Sequence, residues 1–206
     1  MLPAELFAGC LFVALIAADW WQFRRLTASA GRYGCPVARA ADTLPVEPDR
    51  IPSRFNPDGL LQLDHGIARA FPGERRILFR SQPSRFSSRF HTAWPLKGVI
   101  DLEQEGGMLR LRCVKLMPWS SALLTLLWFA VVGVGTLAFV VKFLTGGEGL
   151  SLGSLLLVLG VTAVGLLVLV FGLVTVSLAY RVEDQRLMEV YRELRVELSR
   201  PTNEMR

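Results

Sequence analysis

Two stretches of the chain contain no Asp, Glu, Lys, Arg or His: the 26 residues between Lys115 and Lys142, and the 32 between Glu148 and Arg181. About 20 apolar residues suffice for an α-helix to cross some 30 Å of hydrocarbon, so both stretches predict membrane-spanning helices. A weaker apolar segment runs from about Leu2 to Phe23, with 13 uncharged residues between Glu5 and Asp19. Its basic residues, Arg24 and Arg25, follow the apolar part instead of preceding it, which is the order of a stop-transfer anchor and not of a secretory signal. Ala28-Ser29-Ala30 has the small-residue spacing of a cleavage site but lies beyond those arginines. The segment is therefore read as an uncleaved anchor, with Trp20 and Trp21 at headgroup depth.

The polar insert between the first and second spans changes character near Phe71. Residues 24–70 carry Pro36, Pro45, Pro48, Pro52 and Pro57. Prolines block helix interiors and central strands, so this part predicts an extended strap, with a turn at Asn56-Pro57-Asp58-Gly59 and a short helix or strand over Leu60 to Ala68. Residues 71–116 alternate more regularly. Arg76 to Arg80, Val99 to Glu103 and Met108 to Val114 predict strands, and Glu105-Gly106-Gly107 predicts the hairpin turn between the last two. Three or four antiparallel strands, forming a partial barrel, are expected. So small a core needs support from lipid, from the spans or from another protein.

The C-terminal pattern switches to helical spacing, with Leu187, Tyr191, Leu194 and Leu198 on one stripe. Residues 181–206 hold six Arg against six Asp and Glu. Such balance suits a partner helix or the protein's own β domain better than a lipid surface, which favours a mainly basic polar face. The expected fold is thus three transmembrane helices, residues 1–23 and the hairpin 117–180, with a small antiparallel β domain inserted between helices 1 and 2 and a C-terminal amphipathic helix from residue 181.

Composition agrees with a membrane protein, since 51% of the residues are apolar. The net charge of +5 becomes informative through its placement. Arg24, Arg25, Arg32 and Arg39 follow the first span, Arg110, Arg112 and Lys115 precede the second, and Arg181, Arg186, Arg192 and Arg195 follow the third, whereas Lys142 stands alone on the other side. The positive-inside rule then predicts a multi-pass inner-membrane protein with its N-terminus outside, its main loop and C-terminus cytoplasmic, and a short outer hairpin at residues 145–151.

Chemistry is sparse. The two long spans lack the ionisable groups that mark proton and ion paths, and they offer no imidazole to a haem. Cys10, Cys35 and Cys113 have no metal or redox spacing, and Cys35, before Pro36, is read as a loop cysteine. His65 and His91 are the only histidines, and no H-x-x-E, H-E-x-x-H, G-x-S-x-G or phosphate-loop pattern is present. Asp64-His65 with Ser81, Ser84, Ser87, Ser88 or Cys113 supplies residue types for nucleophilic hydrolysis, but no spacing fixes their geometry. A non-enzyme with no metal and no cofactor is expected.

What remains are contact surfaces. Arg69, Arg75, Arg76, Arg80, Arg85 and Arg89 place six guanidinium groups in 21 residues, with Glu74 the only acid. They are interleaved with Phe71, Phe79, Phe86 and Phe90, and predict a patch for anionic phospholipid or for the acidic face of a protein partner, with nucleic acid ranked below both. In the third span Gly153 and Gly160, and again Gly165 and Gly172, stand seven apart and form two flat lanes. Flat lanes permit close helix neighbours in lipid; the second span, with Gly133 and Gly135, is expected to fill one of them. The function expected from these features is that of a non-catalytic accessory or assembly subunit of a larger integral membrane complex. The alternatives are a stand-alone membrane-anchored regulator that binds anionic lipid and, below it, a transporter or channel subunit.

Overall fold

The computed structural model describes residues 2–46, 51–82, 92–105, 108–145 and 152–200. Three helices are present, α1 (Leu2–Arg24), α2 (Trp119–Thr145) and α3 (Leu152–Ser199), each containing a segment long and apolar enough to cross a membrane. Between α1 and α2 lie six strands: β1 (Cys35–Leu44), β2 (Leu60–Gln62), β3 (Gly66–Phe71), β4 (Arg76–Ser81), β5 (Lys97–Glu105) and β6 (Met108–Met117). They form one antiparallel sheet in the order β1-β6-β5-β4-β3-β2, a meander from β2 to β6 with β1 added beside β6.

The sheet is larger than the sequence pattern predicts, because the proline-rich strap contributes three of its strands. β1 is an edge strand, and Pro36 stands at its start, where the pairing register with β6 shifts between Pro36 and Ala38; an edge and a bulge are the places where a strand tolerates proline. Cys35 opens this strand and is not a loop residue. Residues 60–62 and 66–68 are strand, with Leu61 opposite Ala68, and Phe71 closes β3. The expected turn forms as written: Gly59 takes φ +72° and donates to the Asn56 carbonyl at 2.7 Å. The turn over Gly106 and Gly107 lies outside the described residues, as does most of the outer hairpin; the pairing of Glu105 with Met108 sets the ladder on either side of the former.

Alternation along the strands creates two faces. Ile77, Phe79, Ile100, Leu111 and Cys113 share one face through their cross-strand pairs, and all five are buried. Gly98 belongs here by necessity: the Phe79 ring fills the space where a Cβ would stand. Covering this face is the last part of α3. Leu187, Tyr191, Leu194 and Leu198 are 1%, 9%, 0% and 3% exposed, and the Tyr191 ring lies 5.9 Å from that of Phe79. The C-terminal amphipathic segment is not a separate helix, since the third apolar stretch and the stripe are one helix of 48 residues. Leu78, Val99 and Leu116 form the opposite face and pack with Phe23 from the end of α1, flanked by Leu26 and Tyr33.

The chain divides into two compact units, Met1–Ser120 with Val182–Arg206, and Ser121–Arg181. The first holds α1, the sheet and the far end of α3. The second is a helical hairpin.

Candidate functional site at the end of the first helix

A helix leaves its last four carbonyls without intrahelical partners, and the end of α1 meets this need with side chains of the sheet. The Lys97 ammonium, 1% exposed, donates to the carbonyls of Phe23 at 3.3 Å, Ala30 at 2.6 Å and Tyr33 at 3.3 Å. It also lies 4.4 Å from the centre of the Phe23 ring. Arg80 Nη1 donates to the Arg24 carbonyl at 2.9 Å, and Arg69 Nη1 to the Leu26 carbonyl at 3.0 Å. Cations at a helix C-terminus also meet the negative end of its dipole. Three sheet cations therefore hold the carbonyls of residues 23, 24 and 26.

The start of α2 is held from the opposite direction. Asp19, within α1, accepts the backbone N–H of Ser120 at 2.9 Å together with the Ser120 hydroxyl. Its other oxygen accepts the Tyr33 hydroxyl. A carboxylate bound to the first turn of a helix is an N-cap, here supplied by a different helix. The hydrogen bond to Asp19 pushes the Tyr33 phenol up to about 12, with burial and the Asp19 charge adding to it.

Electrostatically, the α1 end is one-sided. Burial, reinforced by the charge of Arg80, depresses the Lys97 ammonium to about 8. Burial and the neighbouring Arg24 hold Arg80 below the usual guanidinium range, and its Nε is buried with no hydrogen-bond partner.

The described members of the predicted arginine cluster have different surroundings. Arg69 and Arg80 grip the α1 end, while Arg76 is paired with Asp101 at 2.8 Å and Glu74 at 3.1 Å. Arg75 is exposed on the β3–β4 turn with φ +49°. Arg85 and Arg89 lie outside the described residues. Asp19, Arg24, Tyr33, Lys97 and Ser120 complete the site without having been singled out as a group. Two signals pointed towards it: Asp19 interrupts the first apolar segment, and Lys97 is one of only three lysines.

The remaining predicted positions have defined places. The Leu187 stripe is occupied within the chain, and polar contacts lock it there: Lys115 pairs with Asp184, His65 with Glu193, and Asp42 receives Tyr191 Oη at 3.2 Å and Arg195 Nε at 3.2 Å. In the helical hairpin, Thr136 fills the space over Gly165 and the Trp128 ring that over Gly172. Gly133 and Gly135, expected to make this contact, have nothing within 4 Å of where a Cβ would stand; the same is true of Gly160, and Gly153 is exposed.

Among the described residues the hydrolytic candidates have other partners or surroundings. His65 is engaged with Glu193, Ser84, Ser87 and Ser88 lie outside the described residues, and burial raises the Cys113 thiol to about 11, which leaves it protonated and unreactive. Among the described residues no three His, Cys, Asp or Glu side chains cluster as metal ligands. A groove of about 590 Å³ runs past Phe55, Pro57, Phe71 and Pro72, without a nucleophile and base in contact. No family model, no curated protein and no solved structure matches this chain.

Proposed function

We propose that this protein is a non-catalytic accessory or assembly subunit of a larger inner-membrane complex. The sheet anchors the ends of α1 and α2 and the far half of α3, and the helix sides meet neighbouring subunits. The observation that carries this reading is where unused surface remains. One face of the sheet is covered by α3 and the other in part by the end of α1, and most of the described arginines are engaged, whereas the apolar windows of the three helices are only 6%, 0% and 6% buried. Of the two glycine lanes on α3, one is filled and Gly160 on the other is open; an open small-residue lane admits a closely packed helix in lipid.

The test is native mass spectrometry of the endogenous protein, extracted in mild detergent through a C-terminal tag. Stoichiometric co-purification with a larger membrane assembly is the expected result. Recovery of the chain alone overturns the proposal and favours the stand-alone membrane-anchored regulator, a reading supported by the self-contained packing of the sheet.

A further inference from the structure

The α1 end concentrates positive charge that the described residues do not neutralise. Lys97, Arg80 and Arg69 are brought onto the carbonyls of Phe23, Arg24 and Leu26; the Arg24 guanidinium lies close enough for its charge to act on Arg80, and Arg25 is next in the chain. None of these five cations forms an ion pair with a carboxylate among the described residues, whereas Arg76, Lys115, Arg186 and Arg195 all do. The nearest acid in α1, Asp19, is engaged by Tyr33 and Ser120. Carbonyl dipoles offset part of the charge, but they leave Arg80 beside Arg24 with its Nε–H buried and unpartnered. Like charges held together in this way have a gap in their surroundings that an anion would fill.

Position identifies the anion. Arg24 and Arg25 are exposed and lie over the rings of Trp20 and Trp21, at 5.7 and 5.6 Å from their centres. Indoles at the end of an apolar helix mark headgroup depth, so the guanidinium groups stand at the level where a bilayer presents phosphates. A guanidinium fork matches phosphate oxygens in geometry as well as charge.

We propose that the junction of α1 and β4 binds the phosphate of an anionic membrane phospholipid. Arg24 and Arg80 make the contact, Arg25 and Arg69 flank it, and buried Lys97 adds field without touching the lipid. The site differs from the 69–89 cluster read from sequence, since it recruits Arg24 at the end of α1 and Arg25 just after it and excludes Arg76. It is independent of the accessory-subunit reading and fails or holds separately from it.

The experiment uses the full chain in mild detergent, titrated with phosphatidylglycerol or phosphatidylcholine and read by native mass spectrometry as lipid retained per chain. Phosphatidylglycerol is expected to be retained about tenfold better or more, given the worth of well-placed basic residues near an anionic surface. This preference should shrink as ionic strength rises from about 0.1 M to about 1 M. Arg24→Gln with Arg80→Gln should abolish it. Arg192→Gln with Arg200→Gln, removing the same charge from the α3 end, should leave it intact. Equal retention of the two lipids by the unaltered chain overturns the proposal, as does an undiminished preference in the first double variant. Competition by glycerol 3-phosphate as strong as by the lipid would also overturn it, by assigning the site to a soluble phosphate. The comparison of lipids on the unaltered chain stands even if the double variant folds poorly.

Discussion

Burying an ammonium group costs several kcal/mol unless its hydrogen bonds are replaced. Lys97 replaces them with three carbonyls, one per N–H, yet has no carboxylate partner among the described residues, and burial with the charge of Arg80 depresses it to about 8. Asp19, bound to Tyr33 and Ser120, works in the opposite sense, as an anion set against the positive start of α2. A third charged contact, His65 with Glu193, joins the β2–β3 turn to the end of α3; the backbone N–H of His65 also donates to Glu193 at 3.1 Å. The hydrogen bond to Glu193, then the charges of Glu193, Glu189 and Asp64, raise the imidazole above its usual 6.5 against a small opposing effect of burial. A raised folded-state pKa means that the folded protein binds the proton more tightly than the unfolded chain. The stabilisation is therefore fully present below 6.5 and is lost as pH rises through the folded value. His65 is 55% exposed, so the pair is worth no more than about 1 kcal/mol. Hydrogen exchange of the amides from Leu187 to Leu198 should be slower at acidic than at alkaline pH, after correction for intrinsic rates, and His65→Ala should flatten this dependence. A profile unchanged by His65→Ala would place the coupling elsewhere.

Elements divide by how local their causes are. The apolar stretches of α2 and α3, the Leu187 stripe and the strands β4 to β6 were legible, because each is defined by periodicity within its own residues. β1 was not: it contributes Leu44 as its one deeply buried apolar side chain, carries alanines where an edge strand usually shows β-branched residues, and is held by β6, 65 to 82 positions away in sequence. The α1 junction was illegible for the same reason. Nothing adjacent to Lys97 shows that carbonyls of residues 23–33 will surround it, so it reads as an ordinary solvated charge. Glycine spacing on α3 was legible as two lanes, but the residues that fill one are Trp128 and Thr136, since side chains and not opposing glycines complete that contact. The two lanes respond differently to substitution. Gly172→Leu drives a side chain into the Trp128 ring, and overpacking of this kind costs about 1–3 kcal/mol; a lower melting temperature in detergent is expected. Gly160→Leu meets open space and should leave the isolated chain's melting temperature unchanged. Equal destabilisation by both would mean that the lanes are not distinct.

At the scale of the whole molecule, the sheet restricts how the chain can thread a membrane. It lies between α1 and α2 in sequence and packs against the residues of α3 beyond Val182, and we therefore propose that the sheet and residues 182–199 share one side of the bilayer. On this proposal Thr145 and Leu152 lie on the other side, as does the start of α1. Contacts are the ground for this sharing of sides and not for the compartment it faces; charge supplies that choice. Arg24, Arg25, Arg32 and Arg39 near α1, Arg110, Arg112 and Lys115 before α2, and Arg181, Arg186, Arg192 and Arg195 on α3 all fall on the sheet side, against Lys142 alone on the other. Short basic segments near span ends are retained in the cytoplasm, and on this ground we propose that the sheet faces it. In a bacterial host, green fluorescent protein fused after Arg206 should therefore fluoresce. Alkaline phosphatase at the same position should be inactive, and the phosphatase inserted between Thr145 and Leu152 should be active. The reverse pattern would refute the cytoplasmic assignment while leaving the sharing of sides intact; activity of the phosphatase at both positions would break the sharing itself, and with it the packing of α3 on the sheet.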